Sequence, residues 1–319
     1  MVALLPPRFE GACRLRDGRE LGYAEFGPDQ GRPILWFHGT PGACRQIAPV
    51  ARNASWDRRV RLVAVERPGI GASTPHAYRA VVEFADDVRQ LTEALGIERF
   101  AVVGLSGGGP YALACAHEMP DHVVAAAVLG GVAPSVGPEA AEGGAASITP
   151  FLGPVLRALA RPLGASMRGL VQLIHPLADR ATFLFAQLMP PGDQRVFDDP
   201  AVRWMFQEDI IHGSRSFMEA LFQDVALFGR PWGFEVRNVR VPVHLFYGDA
   251  DNIVPLQHGE HLARILPNAT LNIRPEEGHL GGLGATHEIF EALLSEGFND
   301  ARERIGRARS ERARTRRGR

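Results

Sequence analysis

Of the 319 residues, 45% are hydrophobic and 22% charged, which suits one large core with an insertion, or two smaller cores, and excludes disorder as the main state. The 35 basic and 36 acidic side chains leave a formal charge of −1, so no global field draws the chain to nucleic acid or to an anionic membrane. Every basic residue is arginine; with abundant Ala, Gly and Pro, this reflects the codon bias of a GC-rich gene before it reflects chemistry. Cys13, Cys44 and Cys115 fit neither a disulfide framework nor a CxxC-type metal site and read as small buried hydrophobes of a reducing compartment. The stretch Met1 to Pro7 lacks a basic segment followed by a long apolar one, and no run approaches the ~18 apolar residues of a membrane span. A cytoplasmic protein is the expectation.

Ile34–Phe37, Leu62–Val65, Phe100–Val103 and Val123–Leu129 are continuous apolar runs rather than alternating ones, as parallel strands covered on both faces require. Between the second and third, Val81, Phe84, Val88, Leu91 and Leu95 form a helical stripe and complete a βαβ unit. After Val132 the pattern stops. It resumes with a strand at Val243–Tyr247, a helix at Leu256–Leu266, a strand at Thr270–Ile273 and a helix at Glu288–Leu294. The predicted organisation is a core of 1–133 and 235–299, an inserted helical cap of 134–234, and a tail of 300–319.

The insertion opens with a Gly/Ala/Glu-rich loop and runs through apolar helices punctuated by Pro154, Pro162, Pro176 and Pro190-Pro191. From Ile148 to Met189 the single acid is Asp179, beside Arg157, Arg161, Arg168 and Arg180. The expected use of these apolar faces is packing of the cap helices on one another, with membrane or lipid-like contact as the alternative. Ala301–Arg319 holds nine arginines and two glutamates and has almost nothing apolar to bury, so disorder is expected there. A nucleic-acid or anionic-lipid contact is the lesser reading of that tail.

Gly104-Leu105-Ser106-Gly107-Gly108 follows the strand ending at Val103 and precedes the helical stretch Tyr111–His117. GxSxG at a strand-to-helix turn is a nucleophile-elbow pattern. The turn is so tight that side chains at 104 and 108 would collide with its surroundings, while Ser106 stands above the sheet beside a helix N-terminus. Pro110 suits the first turn of that helix. A phosphate-cradling glycine turn would instead call for a basic residue or a dinucleotide spacing, neither of which stands here.

A serine hydroxyl needs a base. His279, in Gly278-His279-Leu280 after the last predicted strand, lies at the correct sheet edge, whereas His117, His122, His175, His212, His258 and His261 look incidental. The imidazole in turn needs a carboxylate. The loop after Leu129 offers none, while Gly248-Asp249-Ala250-Asp251-Asn252 offers two. An oxyanion would take one donor from the N–H of Gly107 and another from the turn His38-Gly39-Thr40-Pro41-Gly42, at the N–H of Thr40; His38 itself reads as a structural loop histidine.

Together, His38–Gly42, Glu66-Arg67-Pro68-Gly69-Ile70-Gly71-Ala72-Ser73, the elbow at 104–108, Gly248–Pro255 and Gly278-His279 make the chain resemble the α/β-hydrolase superfamily from about residue 10 to 298. The resemblance implies an α/β fold with a mostly parallel sheet, helices on both faces and an inserted helical cap. It places the acid three residues before Val-Pro, at Asp251, and implies a cofactor-independent serine hydrolase acting on a small-molecule carboxylic ester or thioester. Haloalkane dehalogenases and epoxide hydrolases carry aspartate where Ser106 stands. Proline iminopeptidases use serine but typically place a second glycine at the position of Thr40, which leaves peptidase activity as a secondary reading and a slow binding or sensing module as a third. Glu66 replaces the family's usual aspartate and reads as structural variation.

Overall fold

Eight strands form one sheet: β1 (Phe9–Arg14), β2 (Glu20–Phe26), β3 (Arg32–Phe37), β4 (Val60–Val65), β5 (Phe100–Leu105), β6 (Val123–Leu129), β7 (Val243–Gly248) and β8 (Ala269–Arg274). Their spatial order is β1-β2-β4-β3-β5-β6-β7-β8. All neighbours run parallel except β1 with β2 and β2 with β4. The structure is a computed structural model that describes residues 5–141, 149–215, 218–296 and 298.

The continuous apolar runs mean that both sheet faces are covered. Along β3, Leu35 and Phe37 join the core under α2 (Phe84–Ala94), α3 (Gly109–Glu118) and α10 (Leu256–Ile265), whereas Ile34 and Trp36 join the core under α1 (Pro49–Asp57) and α11 (Thr286–Ser295). This alternation follows from the two-residue period of a strand. The stripe beginning at Val81 is a short 3-10 turn, Val81–Glu83, leading into α2.

The β1–β2 hairpin extends the sheet beyond the strands expected from the sequence. β1 is a largely exposed edge whose polar residues hide its period. On β2, the buried Glu25 accepts from Arg61 Nε and Nη2 at 2.8 and 3.0 Å, so the strand can bury a charge by pairing it. Cys44 and Cys115 are buried free thiols, but Cys13 lies part-exposed on the edge strand, which has a neighbour on one side alone.

Between β6 and β7 the chain leaves the sheet and forms α4 (Thr149–Ala158), α5 (Ala160–Ile174), a 3-10 turn (His175–Leu177), α6 (Ala178–Gln187), α7 (Pro191–Asp198), α8 (Pro200–Gly213) and α9 (Glu219–Phe228). Pro191 begins α7 and Pro200 begins α8, positions where a missing N–H costs little. Part of the glycine-rich loop, 142–148, and the arginine-rich tail, 300–319, lie outside the described residues. Among the described residues no helix is long and apolar enough to cross a membrane.

The topology fixes where a site can form. From β3 the chain moves outward to β4, then crosses back to β5 and proceeds the other way. The loops after β3 and β5 therefore diverge at a switch point and leave a crevice at the carboxyl edge.

Candidate active site

Ser106 ends the run from β5 with φ +50°, a left-handed conformation that is unusual for a residue with a side chain and stores strain. Neighbouring glycines make the turn feasible. A Cβ on Gly104 would lie 2.4 Å from Gly108 O, and one on Gly108 would lie 2.2 Å from Phe37 O. The turn thus closes on itself and on the end of β3, and α3 starts immediately with Pro110 in its first turn.

His279 Nδ1–H donates to Asp251 Oδ2 at 2.7 Å, and Ser106 Oγ–H donates to His279 Nε2 at 2.8 Å. The tautomer follows from the partners, because a carboxylate accepts and so leaves the proton on Nδ1. Asp251 is held by its other oxygen, which accepts from Ile253 N and Val254 N at 2.8 and 2.9 Å. Asp249 is exposed and points elsewhere: its Oδ1 accepts from Glu276 N at 2.7 Å. Of the two carboxylates in the loop after β7, Asp251 is the one that meets the imidazole.

Thr40 lies against Gly107, where a Cβ would approach Thr40 Oγ1 to 2.3 Å. Arg67, buried at the end of β4, donates to His38 O, Gly39 O and Thr40 Oγ1 at 2.6, 2.7 and 2.8 Å. Its Nε donates to Asp224 Oδ2 at 2.6 Å, while Tyr111 OH on α3 donates to Asp224 Oδ1 at 2.8 Å. The Gly39 N–H is taken by Gln46 Oε1 at 2.5 Å. His38 Nδ1–H donates to Gly39 O at 2.8 Å and Nε2 accepts from Arg67 N at 3.3 Å. Burial, reinforced by the nearby Arg67 charge, holds the His38 imidazole well below its ordinary value, so it stays a neutral brace of the turn.

Three carboxylates from the inserted helices reach the same loops. On α7, Asp193 accepts from His279 N and Leu280 N at 2.9 and 2.8 Å, and burial raises its pKa. On α8, Asp209 accepts from Ala43 N and Arg45 N at 2.9 and 3.0 Å. On α9, Asp224 is the partner of Arg67. None was visible in the sequence, since no motif spacing links an aspartate of the insertion to a loop more than eighty residues away. His212, which looked incidental, donates from Nε2 to Glu66 Oε1 at 2.7 Å, and Glu66 Oε2 accepts from Ala72 N at 2.7 Å. Among the described residues, Glu10, Cys44 and His212 place one ligand-type atom each within 4.8 Å of the others. With Nε2 given to Glu66 and burial raising the Cys44 thiol, that cluster has the chemistry of a hydrogen-bonded contact between the insertion and the core.

The family profile of the alpha/beta hydrolase fold matches residues 32–285. This chain belongs to that family. A proline iminopeptidase of Arabidopsis thaliana is 32% identical over 41% of this chain and 34% of its own length. The chain thus spans about a third of that relative. A non-heme chloroperoxidase of Streptomyces lividans is 25% identical over 87% of the chain and 95% of its own length. A thermophilic esterase of Thermogutta terrifontis superposes with a TM-score of 0.64 at 20% identity, covering 90% of this chain and 97% of the other, which speaks to fold alone.

In this α/β hydrolase an apolar cavity of about 330 Å³ reaches Pro41, next to Thr40, and is walled by Val171, Ile174, Phe185, Phe197 and Phe206 among others. None of its lining residues is acidic.

Burial pushes Asp209 from its ordinary 3.8 up to about 7, which yields a pH test of the clasp between α8 and the loop after β3. A carboxyl whose folded pKa is raised binds a proton on folding, so its stabilising contribution is complete below about pH 4 and is lost as pH rises through about 7. Asp209→Asn cannot titrate. The stability of the parent relative to this variant should fall between pH 4 and pH 7 and level off above it; thermal melts across that range check the slope, and a flat difference would show that Asp209 is ionised throughout.

Proposed function

We propose that the chain is a serine hydrolase that cleaves small or medium carboxylic esters, or thioesters, through an acyl-enzyme on Ser106. The observation that carries this reading is the hydrogen-bonded run from Asp251 through His279 to Ser106, at 2.7 and 2.8 Å. Ser106 Oγ attacks the carbonyl carbon as its proton passes to His279 Nε2, and the imidazolium is stabilised by Asp251. The same proton then goes to the departing alkoxide or thiolate. Water, deprotonated by His279, attacks the acyl-enzyme and releases the acid.

The backbone N–H groups of Gly107 and Thr40 serve as the oxyanion donors. Two other donors of the β3 loop are committed elsewhere, the Gly39 N–H to Gln46 and the Thr40 hydroxyl to Asp224 at 3.1 Å. In this reading Asp193 and Asp224 are positioning residues: one sets the backbone of the histidine loop and the other, through Arg67, the oxyanion loop. Residues 134–234 act as the cap, no cofactor takes part, and the protein works in the cytoplasm.

The proline iminopeptidase relatives favour a second reading, a peptidase. An amino-terminal prolyl substrate brings an ammonium group, however, and the apolar cavity supplies no carboxylate to meet it.

A fluorophosphonate should add once, on Ser106, as intact-mass spectrometry would show. Ser106→Ala should abolish labelling and lower ester turnover by about 10⁴ or more; retained turnover would sink the mechanism.

Asp251→Asn should leave the fold intact but put the wrong tautomer on His279, cutting kcat by roughly 10³ to 10⁴. Asp249→Asn touches an exposed turn and should change kcat little. If steady-state kinetics show the reverse order, the acid is Asp249.

Each acyl methylene buried in the apolar cavity contributes about 0.8 kcal/mol, or roughly fourfold in kcat/KM, until the cavity is full. p-Nitrophenyl butyrate and hexanoate should therefore be cleaved faster than the acetate, and prolyl amides poorly. Faster prolyl amide cleavage would promote the peptidase, and Ser106 labelling without turnover of any ester would promote the sensing module.

A further inference from the structure

The outer side of the insertion departs from what its sequence predicted. Helices on a protein surface ordinarily turn their apolar stripe inward, yet Leu173, Leu184 and Leu188 are 76%, 65% and 83% exposed, and Phe151 on α4 is 82% exposed. Leu170, Leu173 and Leu177 recur three and four residues apart along α5 and the 3-10 turn after it, and Leu184 and Leu188 fall four apart at the end of α6. Mutual packing of the cap helices therefore uses part of their apolar surface, and the rest faces outward. An apolar surface of this extent marks an interaction site.

We propose that the outer face of α5 and α6 seats on an anionic lipid bilayer, with the mouth of the apolar cavity turned toward the acyl chains. Two observations favour lipid over a second copy of the chain. First, residues 149–189 carry four arginines and one aspartate. Arg161 approaches Glu219 at 3.4 Å but its side chain stays 89% exposed, and Arg180 is exposed. A second copy packed on this face would bring another surface with the same excess of arginine over acid against it, whereas anionic headgroups neutralise that charge. Second, Leu170 and Phe185 both line the cavity and are about half exposed, so the cavity rim and the exposed face are one surface. A second copy would stopper it; a bilayer would feed it. The docking itself stands apart from the ester reading, since it needs the face and not the triad.

The experiment is flotation of the full chain with vesicles of phosphatidylcholine alone and of phosphatidylcholine mixed with phosphatidylglycerol, alongside the triple variant Leu173→Glu, Leu184→Glu, Leu188→Glu and the single variant Arg180→Glu. The expected result is flotation with the anionic vesicles, weaker flotation with the neutral ones, and a partition coefficient lowered at least about tenfold in the triple variant. Arg180→Glu should weaken binding to anionic vesicles alone. All three substituted leucines are exposed, so thermal melting should be unchanged and would certify the fold. Equal flotation of parent and triple variant would overturn the proposal by assigning attachment to the arginine-rich tail. No flotation, together with a dimer in sedimentation velocity that the triple variant dissociates, would overturn it in favour of a second copy.

Discussion

Arg67 is a charge with almost no access to water, 2% exposed, and much of the crevice is arranged around satisfying it. An unpaired buried guanidinium would cost several kcal/mol. Here it donates to two carbonyls and the hydroxyl of the loop after β3 and to Asp224 on α9, and its Cζ lies over the ring of Tyr111, 5.1 Å from the centroid. Because Tyr111 also donates to Asp224, one ionic knot joins β4, the β3 loop, the helix after Ser106 and the inserted helices. The spacing between Thr40 and Gly107, on which the proposed oxyanion site depends, is thus set by charge burial as much as by the sheet.

The parallel strands and the elbow were legible because their signals are local: continuous apolar runs, a GxSxG between a strand and a helix, and a histidine after the last strand. The β1–β2 hairpin was not, because an exposed edge strand has no apolar period to read, and β2 hides a buried glutamate that makes sense only once Arg61 is in view. Composition and spacing left Asp249 and Asp251 equivalent. What separates them is a turn in which Asp251 faces the imidazole while Asp249 caps the backbone at Glu276, a distinction that resemblance to a family could anticipate but spacing could not.

Asp193, Asp209 and Asp224 were illegible for a deeper reason. Each shares its helix with another acid, Asp198, Glu208 or Glu219, and its meaning lies in backbone N–H groups or a guanidinium brought to it by tertiary structure. The same holds for Glu66, one methylene longer than the family's usual aspartate, which reaches both Ala72 N and His212 on α8. Its length makes a contact between the core and the insertion, so the departure from the family pattern has a structural partner there.

These contacts divide the insertion into two parts with different physical roles. The carboxylates that hold the histidine loop and the loop after β3 come from α7, α8 and α9, and lifting those helices would leave the N–H groups of Ala43, Arg45, His279 and Leu280 without acceptors, at about 1–3 kcal/mol for each that stays buried. On α5 and α6 the outward leucines are in contact with water, while the inner residues Val171, Ile174 and Ala181 wall the apolar cavity. The insertion thus holds the loops through α7 to α9, while α5 and α6 line the apolar cavity and carry the apolar outer face.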